Sequence, residues 1–233
     1  MKDKVLEKVE YIAVNGGCTQ AAERIVKETA LTIRIDGRQY ATAMILSGME
    51  KEYVTGHLFA QGVIRRATDI RELTIRNNAV EVIIKDDPGK KRTVRKIHSD
   101  LKVHRDKIFT CVRAILKSEI FAETEAVHSA GLFLEGKEPV CIAEDLGRHH
   151  ALDKVIGYGL LHDVDFSRTV AASTGRQPLE MINKYLNCGI PIIATKGVPT
   201  TLAVEIAEKA GITIAGLVRG ETMIVYSHPE RIE

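Results

Sequence analysis

The chain contains no tryptophan, and aromatic residues make up only 5% of its 233 positions. Stacking platforms for single-stranded nucleic acid are therefore poorly supplied. It also lacks an excess of either charge: 33 Lys and Arg stand against 31 Asp and Glu, a formal net charge of +2. That excludes nucleic-acid binding by bulk charge, so an anion site has to come from local clustering. No run approaches the ~18 apolar residues of a membrane span, and the opening MKDKVLEKVEYIAVNGG has no signal-peptide apolar region. The four cysteines, Cys18, Cys111, Cys141 and Cys188, form no C-x-x-C pair. Scattered single thiols imply a reduced, cytoplasmic protein and exclude zinc ribbons and thioredoxin-type redox sites. The P-loop, the G-x-G-x-x-G fingerprint and the G-x-S-x-G elbow are all missing.

What is present is an ordinary globular composition, 45% hydrophobic and 27% charged. The length suits one large domain or two small ones. The segment DDPGKKRTVRKIHSDLKVHR, residues 86–105, divides the chain and is expected to be a solvated, flexible basic linker. The expected organisation is a small α+β N-terminal region over 1–105 and an α/β cofactor-binding domain over 106–233.

In the first half, strands at 31–37 and 41–46 flank Asp36-Gly37, a helix spans 49–64, and a hairpin over 73–85 turns at Asn77-Asn78. In the second half, helical spacing over 106–118 precedes a hairpin over 126–145. Helix 148–162, strand 169–173, helix 178–188, strand 191–195, helix 201–210 and strands 212–218 and 223–227 follow. This alternation predicts an α/β fold: a three-layer α/β/α arrangement with a mixed sheet. Right-handed crossovers would then align the carboxyl ends of the strands along one edge.

The polar residues fall on that edge. Successive strands are followed by Glu144-Asp145-Leu146-Gly147-Arg148-His149-His150, by Ser173-Thr174-Gly175-Arg176 and by Thr195-Lys196-Gly197-Val198-Pro199-Thr200-Thr201, and the last parallel strand ends at Arg219-Gly220. Each turn brings a glycine and a cation, and three lead into helix starts whose free N–H groups favour anions. Taken singly, each turn is accounted for by capping, since Asp145, Ser173 and Thr200 are good N-cap residues. Taken together they predict a site for a phosphorylated or otherwise anionic ligand. His128, His149 and His150 with Cys141, Glu144 and Asp145 have no metal-ligand spacing, and no zinc is expected.

These residues carry a resemblance. Residues 144–154, EDLGRHHALDK, fit the E-D-V-G-R-H-N-A-x-D-K of the formate dehydrogenase accessory protein (FdhD) family, sulfur carriers for the molybdenum cofactor. Ser173-Thr174-Gly175-Arg176 with Glu180, Met181 and Lys184 is similar to that family's S-G-R-x-S-x-E-M-x-x-K, and residues 199–204 to its A-P-T-x-L-A-V. Leu217-Val218-Arg219-Gly220, continued by Glu221 and Thr222, falls where the family has the turn implicated in holding the guanine dinucleotide. Two departures stand out. Glu125 and Ala126 replace the glycines of T-G-G-x-H-x-A, and residues 95–101, RKIHSDL, hold no cysteine where the family has C-G-x-C-G.

The resemblance implies a cytidine deaminase-like fold without deaminase chemistry, because His128 lacks the partner Glu of H-x-E and Cys141 lacks a second Cys. It implies binding of the molybdenum guanine dinucleotide cofactor as cargo, with help in its sulfuration and delivery to apo-formate dehydrogenase. A cysteine desulfurase would be the sulfur source, and the assembly a homodimer. Arg148, Arg176, Lys196 and Arg219 would hold phosphates, His128 and His149 would orient the ligand, and Ser173, Thr200 and residues 217–222 would complete the site. The alternatives are a cofactor-binding chaperone without sulfur transfer and, more remotely, a nucleotide hydrolase or deaminase.

Overall fold

The computed structural model describes residues 2–85 and 96–233. The elements are α1 (Lys2–Val5), β1 (Leu6–Val14), β2 (Cys18–Val26), β3 (Thr29–Ile35), β4 (Arg38–Ile45), α2 (Glu50–Ala60), β5 (Ile70–Arg76), β6 (Ala79–Ile84), α3 (Arg105–Leu116), α4 (Glu119–Thr124), β7 (His128–Leu134), β8 (Pro139–Asp145), α5 (Arg148–Leu161), β9 (Thr169–Ser173), α6 (Leu179–Cys188), β10 (Ile192–Thr195), α7 (Thr201–Ala210), β11 (Thr213–Arg219) and β12 (Thr222–Ser227). They build an α/β fold on a six-stranded mixed sheet, order β12-β11-β10-β9-β7-β8, and a four-stranded sheet, order β4-β3-β6-β5. β1 and β2 form a separate antiparallel ribbon.

Turn chemistry sets the four-stranded sheet. Asp36 and Gly37 lie at φ 49° and 76°, and Asn77 and Asn78 at 44° and 58°. Both pairs adopt the left-handed backbone that a two-residue hairpin needs and that Asn, Asp and Gly tolerate best. Gly62, at φ 72°, ends α2 at Ala60, short of the expected 64.

The six-stranded sheet shows why the helices form two layers. Val170, Ala172, Ile192 and Ala194 face α3 through Ile108, Val112 and Ile115. Their neighbours Ala171 and Ile193 face the opposite way, toward Val155 and Ile156 of α5 and Ile182 of α6. Strand periodicity of two thus feeds a core on each face. The three central strands β9, β10 and β11 are parallel.

The helix α2 joins the two sheets. It packs on α5 through two glycines: a Cβ on Gly56 would land on the Asp153 carbonyl oxygen, and one on Gly157 on the Glu52 carbonyl oxygen. Leu31, Ile33, Val80 and Val82 of the small sheet share one buried cluster with Tyr53 and Leu58 of α2 and with α5.

Two features had no counterpart in the sequence reading, and one differs from it. The β1–β2 ribbon is exposed along most of both strands, so neither face imposes the alternation that reveals a strand. The short α4 owes its start to Glu144, whose Oε1 accepts the N–H groups of Ile120 (2.9 Å) and Phe121 (2.6 Å) across 23 or 24 residues. Residues 86–95 of the basic segment lie outside the described residues. From Ile97 on, the segment is packed rather than free. Ile97 and Val103 are buried, Ile97 N–H donates to the Ala210 carbonyl (2.7 Å), and Val103 exchanges hydrogen bonds with Arg231 and Glu233. The apolar residues spaced through the charge run anchor it. Among the described residues no helix is long and apolar enough to cross a membrane.

Candidate anion site at the strand-end edge

The register brings the expected turns together. β7 runs antiparallel to β9 and β8, so its first residue, His128, lies opposite Asp145, the last of β8, and Ala130 lies opposite Ser173, the last of β9. Ser173 pairs in turn with Thr195, the last residue of β10. His128 Nδ1 lies 3.1 Å from Thr174 Oγ1. A Cβ on Gly175 would stand 2.7 Å from the Cβ of Arg148. A Cβ on Gly197 would stand 2.6 Å from the Gly175 oxygen and 2.8 Å from the Arg176 nitrogen. Leu217 N–H donates to the Gly197 carbonyl at 2.9 Å. Direct contacts therefore chain His128, Arg148, Gly175-Arg176, Lys196-Gly197 and Leu217 along one edge. Gly197 is required by backbone-to-backbone proximity, and Gly175 makes room for the Arg148 side chain.

The cations are available. Arg176 and Arg219 are exposed, and neither has an ion pair among the described residues. Lys196 is partly buried, with Nζ 5.9 Å from the centre of the Phe121 ring. Arg148 opens α5, and its Nε is buried with no hydrogen-bond partner among the described residues. A buried donor left so costs about 1–3 kcal/mol, and an anionic ligand would satisfy it. Burial, and then the charge of Arg148, lowers the His128 pKa and favours the neutral ring.

Other expected residues have internal duties. Ser173 is buried, and its Oγ accepts the Gly175 N–H at 3.2 Å. Thr200 caps α7 through the Ala203 N–H at 3.4 Å. Val218 is buried in the core beneath α3. Leu217 lies at φ 50°, within the bulge where β11 and β12 shift register. Gly220, Glu221 and Thr222 are exposed at the hairpin tip, where Thr222 Oγ1 donates to the Arg219 carbonyl at 3.0 Å.

Sequence reasoning passed over Gln177. Its side chain donates to the Gly175 carbonyl at 3.0 Å, and its N–H donates to the Val198 carbonyl at 2.9 Å. Gln177 thus holds its own turn after β9 with its side chain and fastens that turn to the one after β10 with its backbone N–H. Its one signal in sequence is a polar side chain next to Pro178 at a helix start.

His149 sits apart, at the mouth of a second cleft between α2, α5 and α6. Burial, then Lys184 and Arg148, pushes its pKa down to about 4. Folding therefore disfavours its protonation relative to the unfolded chain, whose imidazole titrates near 6.5. Between about 6.5 and 4 the unfolded chain binds more protons, so this group's contribution to stability falls as the pH falls. His149→Phe is expected to flatten that part of the curve of denaturation midpoint against pH.

Comparison with known proteins decides the family. The sequence model of the FdhD/NarQ family matches residues 26–97 and 88–233. The chain belongs to the FdhD/NarQ family. A "Sulfur carrier protein FdhD" of Saccharolobus solfataricus is 35% identical over 214 residues, 83% of each chain. One of Methanothermobacter thermautotrophicus is 30% identical over 244 residues, covering 97% of this chain and 98% of that one. A crystal structure described as a formate dehydrogenase accessory protein, from Desulfotalea psychrophila, superposes with a TM-score of 0.88 at 28% identity, covering 98% of this chain and all of that one.

Glu125, where the family pattern given above has a glycine, adopts the left-handed backbone at φ 50° before His128. It does so at a strain of about 1–2 kcal/mol for a residue with a Cβ. The thiols are mostly shielded. Cys111 and Cys188 are buried, and Cys18, at the start of β2, is exposed. Burial pushes Cys111 and Cys141 up to about 12. Among the described residues no three His, Cys, Asp or Glu side chains gather to hold a metal.

Proposed function

We propose that this member of the FdhD/NarQ family binds the molybdenum guanine dinucleotide cofactor as cargo at the strand-end edge, and assists its sulfuration and delivery to an apo-formate dehydrogenase. The observation that carries the reading is the contiguous set of turns bearing Arg148, Arg176, Lys196 and Arg219, with the buried Arg148 Nε lacking an acceptor. A diphosphate supplies acceptors for guanidinium groups, and charge-assisted bonds are the strong ones. The neutral His128, held by Thr174, would orient rather than neutralise the ligand. The exposed turn 219–222 would meet the guanosine end.

Guanosine diphosphate is the probe. Calorimetry should show one site per chain, and Arg219→Ala should weaken it. Loss of one charge-assisted hydrogen bond, about 1.5–3 kcal/mol, amounts to roughly tenfold to over a hundredfold in affinity. No heat of binding at millimolar nucleotide would overturn the assignment.

A second reading is a cofactor-binding chaperone that does not itself carry sulfur. It is favoured by the absence of cysteine over residues 95–101 and by the shielded Cys111 and Cys141, because sulfur transfer needs an accessible thiolate. Incubation with a cysteine desulfurase and sulfur-labelled cysteine should leave the chain largely unlabelled. Persulfide on one cysteine, lost together with client activation when that residue becomes Ala, would restore sulfur transfer through a relocated thiol.

A further inference from the structure

The helices that start at the anion cradle end at a different opening, a cleft of about 630 Å³. α5 starts at Arg148 and α6 just after Arg176, and the walls of this cleft include Leu160 and Gly189 at their far ends. The 14 residues of α5 separate its two ends by about 21 Å. Phe59 and Phe166, both buried, and the half-buried Leu160 give the cleft an apolar floor. Its size lies within the range of about 300–1,000 Å³ of small-molecule sites. Its charge is split in sign. On one side the helix ends present carbonyl groups without intrahelical partners, the negative pole of the backbone dipole. Neither α5 nor α6 has a basic residue in its last turn to offset that pole. Asp163 adds a full negative charge there. It is exposed, at φ 52° in the turn after α5, and its carboxylate has no ion pair or hydrogen bond among the described residues. Asp165 is already engaged, accepting the Ser167 N–H at 3.0 Å. On the other side stand Arg65 and Arg66. Arg66 is engaged, with Nε 3.5 Å from Asp69 Oδ1. Arg65 is half-buried, and its guanidinium has no acceptor among the described residues. Arg65 and Asp163 thus line one cleft with opposite charges and do not pair with each other.

We propose that this cleft binds a small zwitterion with an apolar body, a short peptide of apolar residues, independently of the function proposed above. The peptide carboxylate takes the fork of Arg65, the geometry a guanidinium matches with two hydrogen bonds. The ammonium lies against Asp163 and the helix ends, where cations are favoured. The apolar side chains cover Phe59 and Phe166. Other ligand classes fit less well. A simple anion would face Asp163 and the negative helix ends, a simple cation would face two arginines, and a neutral apolar molecule would bury both charges without a partner. The ligand's own charges must also be separated, because Arg65 and Asp163 stand too far apart to pair. A free amino acid carries both charges on one carbon, whereas each added residue lengthens the span by about 3.3–3.6 Å.

The dipeptide leucyl-leucine is the probe, titrated calorimetrically into the full chain beside its N-acetyl and its C-terminal amide forms. Leucyl-leucine should bind saturably at one equivalent per chain. Each blocked form lacks one charge and should bind about tenfold more weakly or worse, the scale of one lost charge-assisted hydrogen bond. Arg65→Gln should weaken leucyl-leucine to the same degree yet leave the amide form, which has no carboxylate, unchanged. Asp163→Asn should weaken leucyl-leucine likewise and leave the N-acetyl form unchanged; asparagine tolerates the left-handed backbone of that turn. Both variants should bind guanosine diphosphate as the parent chain does. No saturable heat at millimolar leucyl-leucine would overturn the inference, as would equal binding of the blocked forms or of both variants. Leucine binding as tightly as leucyl-leucine would overturn the assignment to a peptide.

Discussion

Gly157→Ala is expected to lower stability by about 3 kcal/mol or more, a large value for one added methyl group. Helix propensity alone predicts the opposite sign, since alanine in a helix interior is favoured over glycine by about 1 kcal/mol. The clash decides the outcome. A Cβ at 157 would occupy the position of the Glu52 carbonyl oxygen, and the reciprocal Cβ at 56 that of the Asp153 carbonyl oxygen. Neither is the end of a flexible side chain, so α2 would have to move off α5. That movement would also pull His57 away from Asp153. Gly17→Ala is the control, because a Cβ there meets nothing within 4 Å. Urea denaturation followed by circular dichroism measures both. A Gly157→Ala chain as stable as the parent would show that the helices do not meet backbone to backbone.

Lys184→Met should have a comparable effect. Asp153 is fully buried, and Lys184 Nζ lies 2.6 Å from both of its oxygens. Removing one partner of a buried ion pair leaves the other charge uncompensated, at a cost of about 3–5 kcal/mol. His57 remains at 3.2 Å but donates at most one hydrogen bond. Replacing both partners, Asp153→Leu with Lys184→Met, should recover most of that loss, because a buried pair is often worth little more than a well-packed apolar substitute. Destabilisation by the single variant of less than about 1 kcal/mol, the scale of an exposed pair, would contradict the burial.

Elements that bury one face were legible in the sequence. The sequence places β9 at 169–173 and α7 at 201–210, as observed, because an apolar run marks the strand and Thr200 and Gly211 mark the two ends of the helix. The strand-end edge was legible for the same reason: each turn follows a strand that could be found. Leu6–Val26 was not legible, since a ribbon exposed on both faces carries no pattern. The cleft at His149 was hidden differently. Asp153 and Lys184 belong to motifs visible in the sequence, but their pairing joins α5 to α6 across 31 residues. His57 lies 96 residues before Asp153, and no local periodicity reports such a contact. Arg148 was placed correctly in a helix start, whereas its buried Nε is a property of the packed edge alone.

Amide chemical shifts of isotope-labelled protein, recorded while guanosine diphosphate is added, test whether the carboxyl edge of the six-stranded sheet holds the anionic part of the ligand. Saturable shifts are expected at Thr174–Arg176, Lys196–Gly197 and Leu217–Thr222, with residues such as Arg65 and Arg66, which line a separate cleft with Asp163 and Asp165, unmoved. Shifts centred on Arg65 and Arg66, or none at millimolar nucleotide, would contradict it.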